Sequence, residues 1–148
     1  MKSFLVVIAL SALIVLAKGD DIKEKFKKTA EKCKEKHAIK EDEIQKLKEK
    51  DTEFQFSHEA KCYMACFLEE GKILQNGKYN KENALVMVDV IHKDNPDQAA
   101  KGKEIVETCA KQYPEVGPDQ CEFAYQVSVC AAKEAKKVGL EKTDFYSK

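Results

Sequence analysis

The chain has 148 residues with six cysteines, no tryptophan and no arginine, and its 26 basic residues, all lysine, balance 26 acidic ones. A near-neutral chain that lacks the guanidinium used for bidentate phosphate and base-edge contacts is a poor nucleic-acid binder. The lysine-rich run from Lys23 to Lys50 is interleaved with Glu and Asp, so it reads as the solvated face of amphipathic helices and not as a basic patch.

Residues 1–19 read as a secretory signal. Lys2 supplies the positive start, Phe4 to Ala17 is apolar but for Ser11, and Ala17-Lys18-Gly19 places small residues at a cleavage site. The apolar run is shorter than the ~20 residues of a membrane span, so no stable membrane insertion is expected. Cleavage after Gly19 leaves one domain, residues 20–148, in an extracellular compartment. Removing Lys2 and Lys18 with the leader gives it a slight acidic excess. Six cysteines in a secreted chain of this size imply three disulfides.

Asp20 and Asp21 can cap a first helix, on which Ile22, Phe26, Thr29, Ala30, Cys33 and His37 form one stripe. A shorter helix follows at about Lys40 to Lys50, anchored by Ile44 and Leu47. A connector with Phe54 and Phe56 leads to Ser57, the N-cap of a third helix. On that helix Ala60, Tyr63, Met64, Phe67 and Leu68 recur with the helical period. Gly71 is expected to close it in the left-handed conformation. Cys62 and Cys66 project from the same side of this helix, with Cβ atoms roughly 5–6 Å apart. A disulfide needs about 3.8 Å, so each must seek a different partner and the helix becomes a hub.

Asn76-Gly77 marks a turn between short apolar pieces that contain Leu74 and Tyr79. Asn80 caps the next helix, Lys81 to Lys93. Ala84, Met87, Val88 and Ile91 share one face, and Leu85, Val86 and Val90 cover most of the rest. A helix apolar nearly all round belongs inside a protein; a buried strand through Val86-Met87-Val88 is the competing reading. Asn95-Pro96 opens a helix to about Tyr113 with Ile105, Val106 and Cys109 facing inward, and Gly102 inside it has no evident purpose. Gly117-Pro118 starts the last helix, which runs to Val138 with Gly139 as its cap. On it Cys121 and Cys130, at about 100° per residue, point to opposite sides. No repeat, low-complexity segment or second domain is visible.

The cysteine spacing is Cys33-x28-Cys62-x3-Cys66-x42-Cys109-x11-Cys121-x8-Cys130. With its x3 and x8 gaps it resembles the six-cysteine signature of the insect odorant-binding proteins, the pheromone and general odorant-binding type, over the whole mature chain. The resemblance implies an all-α bundle of about six helices around a central apolar cavity. It implies the interlocked pairs Cys33–Cys66, Cys62–Cys121 and Cys109–Cys130. It also implies a carrier that reversibly binds small hydrophobic, odorant- or pheromone-like molecules.

Other chemistries fit less well. His58, Cys62 and Cys66 share a helix face, but zinc needs deprotonated thiols and an oxidising compartment bridges them. His92-Lys93-Asp94 lacks the calcium loop and paired cysteines of a secreted phospholipase, and the eight cysteines of plant lipid-transfer scaffolds are absent. His37, His58 and His92 stand with no Ser or Cys motif, so no enzyme, cofactor or metal is expected. Candidate lining residues are Phe54, Phe56, Tyr63, Met64, Phe67, Leu74, Leu85, Met87, Val88, Ile91, Val106, Phe123 and Val127. Tyr63, Tyr125 or His92 can anchor a polar end by one hydrogen bond. Phe145 and Tyr146 are candidates for a short lid. A homodimer and contact with an olfactory receptor are options that the sequence leaves open, and an interaction or scavenging protein of haemolymph, saliva or reproductive fluid is the alternative on the same scaffold.

Overall fold

The computed structural model describes residues 19–140, with side chains from Asp21 onward. Among them are six helices and one minimal hairpin: α1 (Gly19–Lys36), α2 (Glu41–Glu49), α3 (His58–Glu70), β1 (Leu74–Gln75), β2 (Lys78–Tyr79), α4 (Lys81–Ile91), α5 (Pro96–Gln112) and α6 (Gln120–Val138). The all-α expectation holds. The expected leader, Gly19 apart, and the proposed lid pair Phe145 and Tyr146 lie outside the described residues.

Local chemistry explains most boundaries. Ser57, Asn80 and Asn95 each accept a hydrogen bond from the backbone N–H three residues on, at 3.0–3.2 Å, which satisfies a donor the helix leaves unpaired. Asp119 caps α6 through the amides of Cys121 and Glu122. The last helix therefore starts later than Gly117-Pro118, which form part of the preceding turn. Helix α1 already runs through Asp20 and Asp21, so neither is its N-cap. Asn76 and Gly77 both take positive φ, 52° and 68°, the pair a tight hairpin turn demands. The two-residue strands pair Leu74 with Tyr79 and Gln75 with Lys78, and the hairpin is held by its buried Leu74.

Gly71 does not take the left-handed conformation (φ −77°). That role falls to Lys72, at φ 57°. Ile73 N–H reaches Leu68 C=O at 2.8 Å and Lys72 N–H reaches Glu69 C=O at 2.9 Å, which is the Schellman pattern one residue later than expected. Gly71 serves close approach instead: a Cβ there would come 3.0 Å from Met87 Cε.

Helix α3 is the hub, burying Ala60, Cys62, Tyr63, Met64, Ala65 and Cys66. It packs along α6 and also against α1 and β1. Three disulfides brace the array: Cys33–Cys66 joins α1 to α3, Cys62–Cys121 joins α3 to α6, and Cys109–Cys130 joins α5 to α6. The main core gathers Cys33, Ile39, Phe56, Tyr63, Met64, Leu74, Val116 and Phe123. A smaller cluster of Ile105, Cys109, Cys130 and Ala135, with Leu140 against it, fills the space between α5 and α6.

Helix α4 departs from the sequence reading. It is a helix, not a strand, but it lies at the periphery: only Ala84 is buried, and Val86 and Val90 are 59% and 44% exposed. It packs on α5, and Gly102 is what lets it approach. A Cβ at Gly102 would stand 2.7 Å from Val88 Cγ1 and 3.7 Å from His92 Cδ2. Glycine normally weakens a helix interior by up to ~1 kcal/mol relative to alanine. Here Gly102→Ala is nonetheless expected to destabilise, by about 1–2 kcal/mol net, because Val88 is stiff at χ1 and overpacking outweighs the propensity gain. Urea unfolding checks the sign.

Candidate functional site

The described pocket opens on the flank of the bundle between α2, the connector after it, α3 and α6. It measures about 100 Å³ and is partly open to solvent. Leu47, Phe56, Met64, Val129 and Ala132 give it apolar walls; Lys46, Lys50, Asp51, Thr52 and Ser128 complete it. The sequence reading placed an apolar cavity at the centre. There large side chains of α3, α6 and the hairpin cluster together: Tyr63 meets Phe67 edge-on along α3 at 5.1 Å, and Tyr79 of β2 meets Phe123 of α6 at 5.7 Å.

The pocket wall is built by short-range hydrogen bonding. Helix α2 ends on Lys50 in the left-handed conformation, with Asp51 N–H donating to Lys46 C=O at 3.1 Å. The Asp51 carboxylate then accepts from the amides of Glu53 and Phe54, both at 3.1 Å, a turn typical of Asp. These bonds, with hydrogen bonding to Lys46, hold the Asp51 carboxyl below the usual carboxylate range. The turn carries the connector inward, so that Phe56 packs edge-on against Phe54 at 4.8 Å and Tyr125 at 6.0 Å. Lys61 lies over the Tyr125 ring at 4.5 Å and pairs with Glu122 at 2.7 Å.

Glu43 fixes α2 to α3. It is a buried carboxylate that accepts from Ser57 N–H at 2.8 Å and Lys40 N–H at 3.2 Å. Burial by itself raises the Glu43 carboxyl, but the hydrogen bonds from Ser57 and Lys40 outweigh it and hold the group below its ordinary range. A carboxyl lowered in the folded state contributes stability above its unfolded pKa of about 4.3, and that contribution is lost as pH falls through the lower folded value. Glu43→Gln is therefore expected to cost about 1–3 kcal/mol at neutral pH. The gap between the thermal midpoints of the two proteins should narrow in acid, below pH about 4.

Of the candidate lining residues, Phe56 and Met64 line the pocket. Tyr63, Leu74 and Phe123 are buried in the main core, with Phe54, Phe67 and Val127 packed against it. Leu85, Met87, Val88 and Ile91 are half-buried on α4, and Val106 on α5. Among the polar anchors, Tyr63 is buried within α3 and Tyr125 stands behind Phe56. His92 caps the C-terminal end of α4 beside α5, away from the pocket; burial lowers its pKa. Leu47, Val129, Ala132 and the polar residues of the pocket were not among the candidates. The period marked large apolar side chains, whereas this wall is set by the backbone turn at Lys50 and Asp51, which no periodicity signals.

His58, Cys62 and Cys121 offer ligand atoms within 4.8 Å of one another. Both sulfurs are joined in a disulfide, and Cys66 is bridged to Cys33, so the thiolates that zinc requires are absent while the bridges stand. No histidine lines the pocket. No described helix is long and apolar enough to cross a membrane.

Residues 17–134 match the model of the PBP/GOBP family. The chain is 32% identical over 114 residues to General odorant-binding protein 19d of Drosophila melanogaster, covering 76% of this chain and 73% of the relative. Its fold superposes on the odorant-binding protein dmelOBP28a of Drosophila melanogaster with a TM-score of 0.68 at 27% identity, covering 84% of this chain and all of the other. Odorant binding protein 5 of Apis mellifera, at 22% identity, shares the fold with a TM-score of 0.67 over 85% of this chain and 98% of its own. Cysteine spacing, bridge pattern, helical order and sequence similarity thus converge: the chain belongs to the PBP/GOBP family of odorant-binding proteins, a family of carriers and not of enzymes.

Proposed function

We propose that the protein is a secreted carrier that reversibly binds small hydrophobic molecules, odorant- or pheromone-like, between its helices. The observation that carries this reading is a pocket with apolar walls on the flank of a disulfide-braced bundle whose family is one of carriers. Bridges let a helical array stay folded without filling every space, and an apolar recess accepts an apolar guest.

At about 100 Å³ the recess is smaller than the ~150 Å³ cavity that takes up benzene. A larger guest requires the wall to yield. Met64, unbranched and adaptable, is the wall residue suited to that. Behind it, Tyr63, Phe67, Phe123 and Val127 are the surfaces against which an enlarged pocket would close; Thr52 and Ser128 in the wall, and Tyr125 packed against Phe56, are the anchors for a polar end.

The test is titration of the oxidised, secreted protein with an environment-sensitive apolar fluorophore, followed by displacement with alkyl alcohols, aldehydes, esters and aromatics. Saturable one-site binding in the micromolar range is expected. Ala132→Trp, which places an indole in the recess, should abolish it. Undiminished binding by that variant moves the site elsewhere in the bundle. No saturable binding by the folded, fully bridged protein replaces the carrier reading with that of an interaction protein of body fluids.

A further inference from the structure

The three disulfides differ in their surroundings. Cys33 and Cys66 lie in the main core and Cys109 and Cys130 in the smaller one. Cys62 is also buried, and only Cys121 among the six is half-exposed. It occupies the first turn of α6, its own amide bound to the Asp119 carboxylate at 2.9 Å. On the other side of the same bridge, His58 Nε2 sits 3.5 Å from Cys62 Sγ. His58 is exposed on the first turn of α3, one helical turn before Cys62. One bridge thus combines a half-exposed cysteine with an imidazole beside its partner.

We propose that Cys62–Cys121 is a thiol-exchange site, with His58 positioned to assist the departing sulfur. A low-molecular-weight thiolate attacks Cys121 Sγ, the sulfur on the half-exposed side. A new disulfide forms between the reagent and Cys121, the Cys62–Cys121 bond breaks, and its electron pair leaves on Cys62 Sγ. The Nε2–H tautomer of His58 donates a hydrogen bond to that thiolate, and a better-stabilised leaving thiolate departs faster. A second thiol can then release Cys121 as a thiolate. The net change is two-electron reduction of the bridge and oxidation of two thiols to their disulfide. The α3–α6 contact keeps other ties: Lys61 to Glu122 and Gln120 to Glu69, each at 2.7 Å. Exchange therefore modifies a folded protein, with the other two bridges intact.

The protein secreted by cells expressing the full chain is incubated with glutathione, quenched with iodoacetamide and mapped by peptide mass spectrometry. Glutathione on Cys121 with the alkyl label on Cys62, ahead of any change at the other four cysteines, is the expected result. The reverse labelling, or earlier opening of Cys33–Cys66 or Cys109–Cys130, overturns the site. His58→Ala should slow adduct formation roughly three- to tenfold without moving the thermal midpoint of the oxidised protein, and His58→Gln, which keeps a donor, should recover part of the rate. An unchanged rate in His58→Ala overturns the role given to His58.

Discussion

Joint replacement of Cys33 and Cys66 by alanine is expected to destabilise the protein by about 4 kcal/mol, lowering the thermal midpoint by roughly 10–15 °C. The bridge closes a loop of sequence separation 33, long enough that freeing it returns substantial entropy to the unfolded chain. What makes it critical is the helix it holds. Within the described part of α1, Cys33 alone is fully buried; Ile22, Phe26, Thr29 and Ala30 are half-exposed. Among its other ties to the hub is the ion pair of Lys32 with Glu70, at 2.7 Å near the surface, and surface pairs of that kind contribute little. Without the bridge, α1 should lose amide protection well before α3 and α6 do, and hydrogen exchange followed by mass spectrometry reads that order directly. Uniform loss of protection across all helices would show that the apolar stripe of α1 holds it unaided.

Phe123→Ala is expected to cost about 3–5 kcal/mol by chemical denaturation. Phe123 is 2% exposed, and its ring meets Tyr79 edge-on at 5.7 Å, so it ties α6 to the hairpin whose β1 strand packs on α3. Truncation opens a space bounded by the hub and by Tyr79, and α3 cannot close far onto α6 to fill it, because Cys62–Cys121 fixes their separation. A cost below ~1 kcal/mol would mean that the ring is not part of a packed core. Together with the fluorophore titration this separates core from pocket wall: if the centre is packed, Phe123→Ala should lose stability far more than it changes the affinity of a guest seated against Phe56 and Met64.

Features carried by short-range chemistry were legible in the sequence. Ser57, Asn80 and Asn95 cap where their side chains predict, Asn76-Gly77 turns where its tolerance of positive φ predicts, and the family resemblance supplied the bridge pairing. What escaped the sequence depends on distant neighbours. Glu43 looks like one more acid on a charged helix, and only the fold brings the Ser57 amide to it. Gly102 has no local reason to be glycine until Val88 arrives from α4. The apolar composition of α4 suggested an interior helix, yet Val86 and Val90 face outward, because hydrophobicity all round does not say how many neighbours a helix will have. The pocket lies where α2 ends in a left-handed turn at Lys50, a conformation that lysine does not announce.

The interlocked bridges have one more consequence. Cys33–Cys66 spans every peptide bond between those residues, Cys62–Cys121 every bond between its own, and Cys109–Cys130 the rest up to Cys130. The three spans overlap, so no single proteolytic cut between Cys33 and Cys130 can divide the oxidised molecule. A nick at the exposed Asn76-Gly77 turn leaves two chains still joined through Cys62 and Cys121. In a fluid rich in proteases, the molecule would remain one covalent object after a first cleavage.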